Sequence, residues 1–177
     1  MKIQLYLSGE VQAHFSISPQ DLQSDAKTPL SSDWRSLWRC DHLISTDDGL
    51  EHLFIFTNAV THFSLIMVDR ASDFQSMLGS FQQHFALALH EHGQDFENQQ
   101  IEIDCQLLTD TPGPMNLRMQ LIADLSIECL LANDANIDIT EEWVNNYESL
   151  SYPTSASDAM RKRITPDSNI LPFRRAK

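Results

Sequence analysis

The 177-residue sequence predicts an α+β fold, a largely antiparallel sheet of about five strands packed by two main helices. Three observations predict it. Short apolar runs alternate with polar residues at the period of two that a half-covered strand requires. Two longer stretches repeat apolar residues every three or four positions, which is the period of a helix. The cleanest alternation has one dry and one wet face, the antiparallel habit, and no internal repeat is present.

Taken in order, "KIQLYL" sets Ile3, Leu5 and Leu7 against polar or amphipathic neighbours and reads as the first strand. Ser8 then caps a short helical stretch, "GEVQAHF", with Glu10 in its first turn. Residues 16–33 are rich in Ser, Asp and Pro and read as a long surface loop. "WRSLWRCDHLI" resumes an extended segment, and "STDDG" at 45–49 signals a turn. In "LFIFTNAVTHFSLIMVD", residues 53–69, two apolar runs meet at a corner. A two-residue type I′ turn needs positive φ at both central positions, and Ala59 adopts it poorly. The loop is therefore expected to have three or four residues, with Asn58 left-handed and His62 on the strand that follows.

From Asp73, Phe74, Met77, Leu78, Phe81, Phe85, Ala88 and Leu89 recur at helical spacing, with Asp73 as cap and Gly93 as stop. "IEIDCQL" at 101–107 alternates as a strand. A second long helix opens at "TPGPMN" and runs to about Ala132. Asn116, Gln120, Asp124 and Glu128 form its narrow wet arc, with Leu121, Ile122, Leu125 and Cys129 opposite. A last short helix begins with Thr140 as cap, and Trp143 and Tyr147 share its face.

Residues 1–157 read as a single α+β domain, and 158–177 as a basic, flexible C-terminal tail. The net charge of −13 is segregated: residues 1–157 carry 6 Lys or Arg against 23 Asp or Glu, and 158–177 carry 6 against 2. An acidic body repels nucleic acid, so contact with it is expected only through tail residues such as Arg161, Lys162, Arg163, Arg174 and Arg175. The tail has no period long enough for a helix and by default is loose. Its sharper reading is a peptide that folds onto an acidic surface, its own or a partner's, anchored by Ile170, Leu171 and Phe173. No apolar run is long enough to span a membrane. Cys40, Cys105 and Cys129 are odd in number and widely spaced, as buried thiols in a reducing cytoplasm would be.

Chemistry leaves little trace. His90 and His92 would lie 200° apart on a helix and cannot share an ion, and His84 with Glu91 makes only two ligands. The ten-residue interval of His42, His52 and His62 matches no ligand spacing, so neither a metal nor a cofactor is expected. There is no Gly-x-Ser-x-Gly, and the 5 glycines form no phosphate loop, so no catalytic residue is assigned. Asn58, Asn116 and Arg118 are the polar candidates for a ligand or anion, the last two at a helix N-terminus. A structural ion pair between Arg118 and an acid such as Asp110 is the preferred account of that arginine.

The stretches "IQLYLSGEVQAHF", Trp34, "LFIFTNAVTHFS" and "PMN" at 114–116 resemble a family of short bacterial proteins known only as a domain of unknown function. Its members carry a strand ending in Phe-Thr-Asn, a Thr-x-aromatic-Ser strand and a Ser-Met-Asn helix start. Pro114 stands here in place of that serine, and the C-terminal portion is longer. The likeness spans about residues 1–130 and implies a shared fold and a cytosolic bacterial setting, with no activity attached.

The expectation is a non-enzymatic interaction or regulatory protein that binds a protein partner through acidic surface and Trp34, Trp38, Trp143 and Tyr147. A homo-oligomer is compatible with this. The alternatives are a small enzyme or ligand binder with a pocket near the 112–118 helix start, and nucleic-acid contact through the tail.

Overall fold

The computed structural model describes residues 1–18, 20, 33–45, 52–69, 73–94, 101–107, 113–148 and 154–164, of which 44, 45, 106, 107 and 113–118 are described by their backbone alone. Strand β1 (Lys2–Leu7) leads into α1 (Gly9–His14), and a 3₁₀ turn (Trp34–Ser36) leads into β2 (Leu37–Ser45). Next come β3 (His52–Asn58), β4 (Ser64–Asp69), α2 (Phe74–Glu91) and β5 (Glu102–Leu107). Helices α3 (Gly113–Ala132), α4 (Ile137–Asn146) and α5 (Ala156–Ile164) complete the order. Of the turn expected at 45–49, Ser45 ends β2 and the rest, like most of the loop expected at 16–33, lies outside the described residues.

The fold class is α+β, but its five-stranded sheet, in the order β4-β3-β2-β1-β5, is mixed rather than largely antiparallel. β1 pairs in parallel with both β2 and β5, while β2–β3 and β3–β4 are antiparallel. The reason lies in the central strand. Gln4 and Tyr6 of β1 are as deeply buried as Ile3, Leu5 and Leu7, so β1 is covered on both faces, the usual setting of parallel strands. On β5, at an edge of the sheet, Glu102 is exposed, while Ile103, Asp104 and Cys105 are half-buried. The parallel neighbours β1 and β2 are joined by a crossover that contains α1, and a connection that contains α2 carries the chain from β4 to β5 at the opposite edge of the sheet.

Alternation along β3 divides the core. Phe54 and Phe56 meet Phe81 and Phe85 of α2, Val11 of α1 and Met160 of α5 in one cluster. Leu53 and Ile55 meet Ala123 and Leu130 of α3 in the other. Helix α2 follows its sequence closely. The Asp73 carboxylate accepts from the Gln75 and Ser76 N–H groups, and Gly93 ends the helix at φ +88°. There the Gln94 N–H donates to the Leu89 carbonyl at 2.9 Å, as a left-handed C-terminal cap requires. Trp38, expected at the surface, is buried edge-on against Phe81 and Phe85 at 5.2 and 4.9 Å. Its indole Nε1 donates to the Arg35 carbonyl at 2.7 Å, so its one polar atom is satisfied.

Three other expectations are corrected. The dry stripe of α3 is Met119, Ala123, Ser126, Cys129 and Leu130; Cys129 is buried as read, Ile122 and Leu125 are half-buried, and Leu121 is exposed. Gln120, Asp124 and Glu128 are wet as read. Helix α4 starts earlier, because the Asn136 side chain accepts from the Ile139 N–H at 3.0 Å and takes the cap assigned to Thr140. The Thr140 Oγ1 instead donates to the Asn136 carbonyl at 2.8 Å. Residues 156–164 form α5, where no helix is expected. Ala156 and Met160, four apart, give it a buried seam, and Ser155 Oγ accepts from the Asp158 N–H at 3.1 Å. Asp158 at its start and Arg161, Lys162 and Arg163 at its end all favour the helix dipole. No described helix is long and apolar enough to cross a membrane.

Candidate functional site

The β3–β4 corner contains Asn58, and its chemistry is turned inward. The Asn58 N–H donates to the Phe63 carbonyl at 2.9 Å, which leaves residues 59–62 as a four-residue loop. Asn58 Oδ1 accepts from the Val60 N–H, the Thr61 N–H and Thr61 Oγ1 at 3.0, 2.9 and 3.0 Å. Its Nδ2 donates to the Trp34 carbonyl at 2.9 Å. A side chain this fully engaged ties the loop to the entrance of β2. The left-handed residue is His62, at φ 63°, which sits in the loop and not on the strand; Asn58 stays on β3, where it pairs with Trp38 of β2.

β4 is an edge strand, and an edge presents unpaired backbone groups. Helix α4 answers them with side chains. Asn145 Oδ1 accepts from the Ser64 N–H at 2.7 Å, and Nδ2 donates to the Ser64 carbonyl at 2.8 Å. Two residues along, Glu141 Oε2 accepts from the Ile66 N–H at 2.7 Å. Positions 141 and 145 lie one helical turn apart and meet alternate residues of the strand, so this face of α4 stands in for a sixth strand.

The outer face of α4 is different. Ile139, Trp143 and Tyr147, each four apart, are 48%, 40% and 41% exposed, and the two aromatic rings lie 5.0 Å apart. Glu142, Asn146 and Glu148 join them around an open recess of about 460 Å³. On the other flank of α4, toward α2, a cleft of about 470 Å³ runs beside β4. Phe63, Leu65, Met67, Leu87 and Ile137 supply its apolar lining, and Glu91, Asp138 and Glu141 its charge. His84 and Glu91, which helical spacing puts on one side of α2, both line it. Burial pushes the Glu141 carboxyl up to about 7, against the Ile66 N–H bond, and the Asp138 and Glu91 charges add to the rise.

A third cluster escapes the sequence. The His14, His42 and His52 rings come together at centroid distances of 4.1, 5.6 and 5.9 Å, and His14 Nε2 lies 3.4 Å from a buried Asp69 carboxylate. A β-bulge between His42 and Ile44 shifts the register here. Burial, then the neighbouring His52 and His14 rings, hold His42 below its ordinary pKa. Among the described residues no three His, Cys, Asp or Glu side chains are arranged to hold a metal ion. The available signal was the ten-residue interval of His42 and His52. It carries no ligand pattern, and His14 lies on another element.

Arg39 and Asp41 form a buried bidentate pair on β2, with both N–H···O contacts at 2.6 Å. Burial raises the Asp41 carboxyl, and Arg39 opposes that rise. Burial likewise pushes the Cys105 thiol up to about 12 and the Cys40 thiol well up, so neither is an activated nucleophile. Asn116 and Arg118 fall in the first turns of α3, whose described side chains begin at Met119. Asp110, the acid suggested for Arg118, lies outside the described residues, as do Arg174 and Arg175. Arg161, Lys162 and Arg163 are exposed on α5. No family model, curated protein or solved structure matches this chain.

Proposed function

We propose that this chain is a non-enzymatic interaction protein that binds a protein partner through the outer face of α4. The observation that carries the reading is the exposed stripe of Ile139, Trp143 and Tyr147 among Glu142 and Glu148. Trp and Tyr are the side chains on which binding energy most often concentrates, because they bury large area while losing little rotamer freedom. The helix beneath them is held to the sheet edge by Asn145 and Glu141, so the stripe is presented by a fixed platform. Flanking glutamates favour a basic partner segment, whose arginine would gain both an ion pair and the face of an indole.

On this reading the Phe-Thr-Asn and Thr-x-aromatic-Ser motifs shared with the short bacterial proteins are scaffold. They build the corner against which α4 is fixed.

The test compares the tagged protein with Trp143→Ser and Tyr147→Ser. Each substitution should weaken capture of one partner from host lysate by at least about 30-fold, the cost of losing a hot-spot side chain of about 2 kcal/mol. Capture should also weaken with salt. Both positions are half open to solvent, so the melting temperature should stay put. Equal recovery of the same proteins by all three forms would defeat the proposal.

A further inference from the structure

We propose that the cleft between α2 and α4 is a docking site for this chain's own C-terminal segment, residues 165–177, with Ile170, Leu171 and Phe173 on the apolar lining and Arg174, Arg175 and Lys177 on the carboxylates. This is a second surface, and it does not depend on what α4's outer face binds.

Charge complementarity is the first argument. Glu91, Asp138 and Glu141 line the cleft, and no Lys or Arg is among its lining residues. The segment "TPDSNILPFRRAK" carries three cations against one acid, Asp167. In its sequence three apolar anchors, Ile170, Leu171 and Phe173, stand directly before the charges. Leu87, on the cleft wall, is 55% exposed and is the kind of surface such an anchor covers.

Reach is the second argument. The segment starts where α5 stops, at Ile164, and Ile164 packs on the same core cluster as Phe63 and Ala88, two of the cleft's own residues. Arg161 lies close enough to His92 to act on its charge, and His92 follows Glu91 at the cleft rim. From Ile164 to Phe173 the chain can extend about 30 Å.

Zero-length carbodiimide coupling of the full chain tests this, because it joins Lys177 only to a carboxylate in contact. An equal mixture of ¹⁴N- and ¹⁵N-labelled protein distinguishes coupling within one chain from coupling between two. The expected product is an intramolecular bond from Lys177 to Glu91, Asp138 or Glu141, abolished by Phe173→Ser and reduced severalfold at high salt. Leu87→Lys, at an exposed position that leaves the fold intact, should reduce it likewise. Mixed-isotope products would assign the cleft to a second copy and overturn the proposal. Coupling to Glu142 or Glu148, or no Lys177 coupling at all, would overturn it as well.

Discussion

Glu141→Gln replaces the one cleft carboxylate that bonds the edge strand with an uncharged group of the same shape. The Gln carbonyl can still accept from the Ile66 N–H, so what changes is charge alone. Burial puts the folded pKa at about 7, against an ordinary value of 4.5. The folded state therefore binds the proton more tightly than the unfolded state between those two values. For an acid raised in this way, stability is full below the unfolded pKa and is lost as pH rises toward the folded one. A shift of that size corresponds to about 3 kcal/mol over the whole window, and to about 2 kcal/mol between about pH 5 and about pH 8. Urea unfolding of both proteins across that range isolates Glu141, because every other titrating group is common to the two. The stability of Glu141→Gln relative to the parent should climb by about 2 kcal/mol from the acid to the alkaline end. Two curves that stay parallel to within about 0.5 kcal/mol would show that the carboxylate is better solvated than its cleft implies.

Arg39→Met strands the buried Asp41 carboxylate and should cost about 3–5 kcal/mol in urea unfolding, while Arg39→Met combined with Asp41→Leu should recover most of that loss. Asn58→Ala removes the three bonds its Oδ1 accepts from Val60 and Thr61 and the one its Nδ2 donates to the Trp34 carbonyl. It should cost about 2–4 kcal/mol, read as a fall in melting temperature of about 5–15 °C. Asn58→Asp keeps the acceptor but buries an unpaired charge and turns an oxygen toward the Trp34 carbonyl, so it should cost at least as much as Asn58→Ala. Met160→Ala should cost about 2–5 kcal/mol, because α5 is anchored by that side chain, whereas Arg163→Ala on the exposed side should stay within about 0.5 kcal/mol.

Local order was legible in the sequence wherever one residue's chemistry decides it. Ser8 and Asp73 cap the helices they precede, Gly93 ends α2, and the apolar period of α2 names its buried face. What depended on distant neighbours was not legible. The alternation in β1 hides that Gln4 and Tyr6 are covered by a second layer, so the parallel pairing was missed. Trp38 sits between Arg35 and Arg39 in the sequence and looks exposed, yet the 3₁₀ turn delivers its ring to the core and its N–H to a carbonyl. Basic residues 161–163 suggested a loose end because charge was weighed above the single pair Ala156 and Met160. Of the candidate site, the aromatic pair on α4 was readable from its spacing. The roles of Asn145 and Glu141 were not, since a side chain that bonds a strand edge more than 70 residues away leaves no local pattern.

The pairing of β1 with β5 has a consequence for how the protein is made. Lys2 faces Glu102 and Leu7 faces Leu107, so β1, once it has left the ribosome, waits for a partner about 100 residues behind it. At bacterial and eukaryotic synthesis rates of about 5–20 residues per second, that interval is about 5–20 seconds. During it β2, β3 and β4 can close their antiparallel ladders, whereas one side of β1 offers its backbone to any passing strand. Non-local parallel contacts form slowly even in the finished chain. The nascent protein should accordingly lean on chaperones until Leu107 emerges, and a ribosome pause placed just before β5 should raise aggregation more than one placed after it.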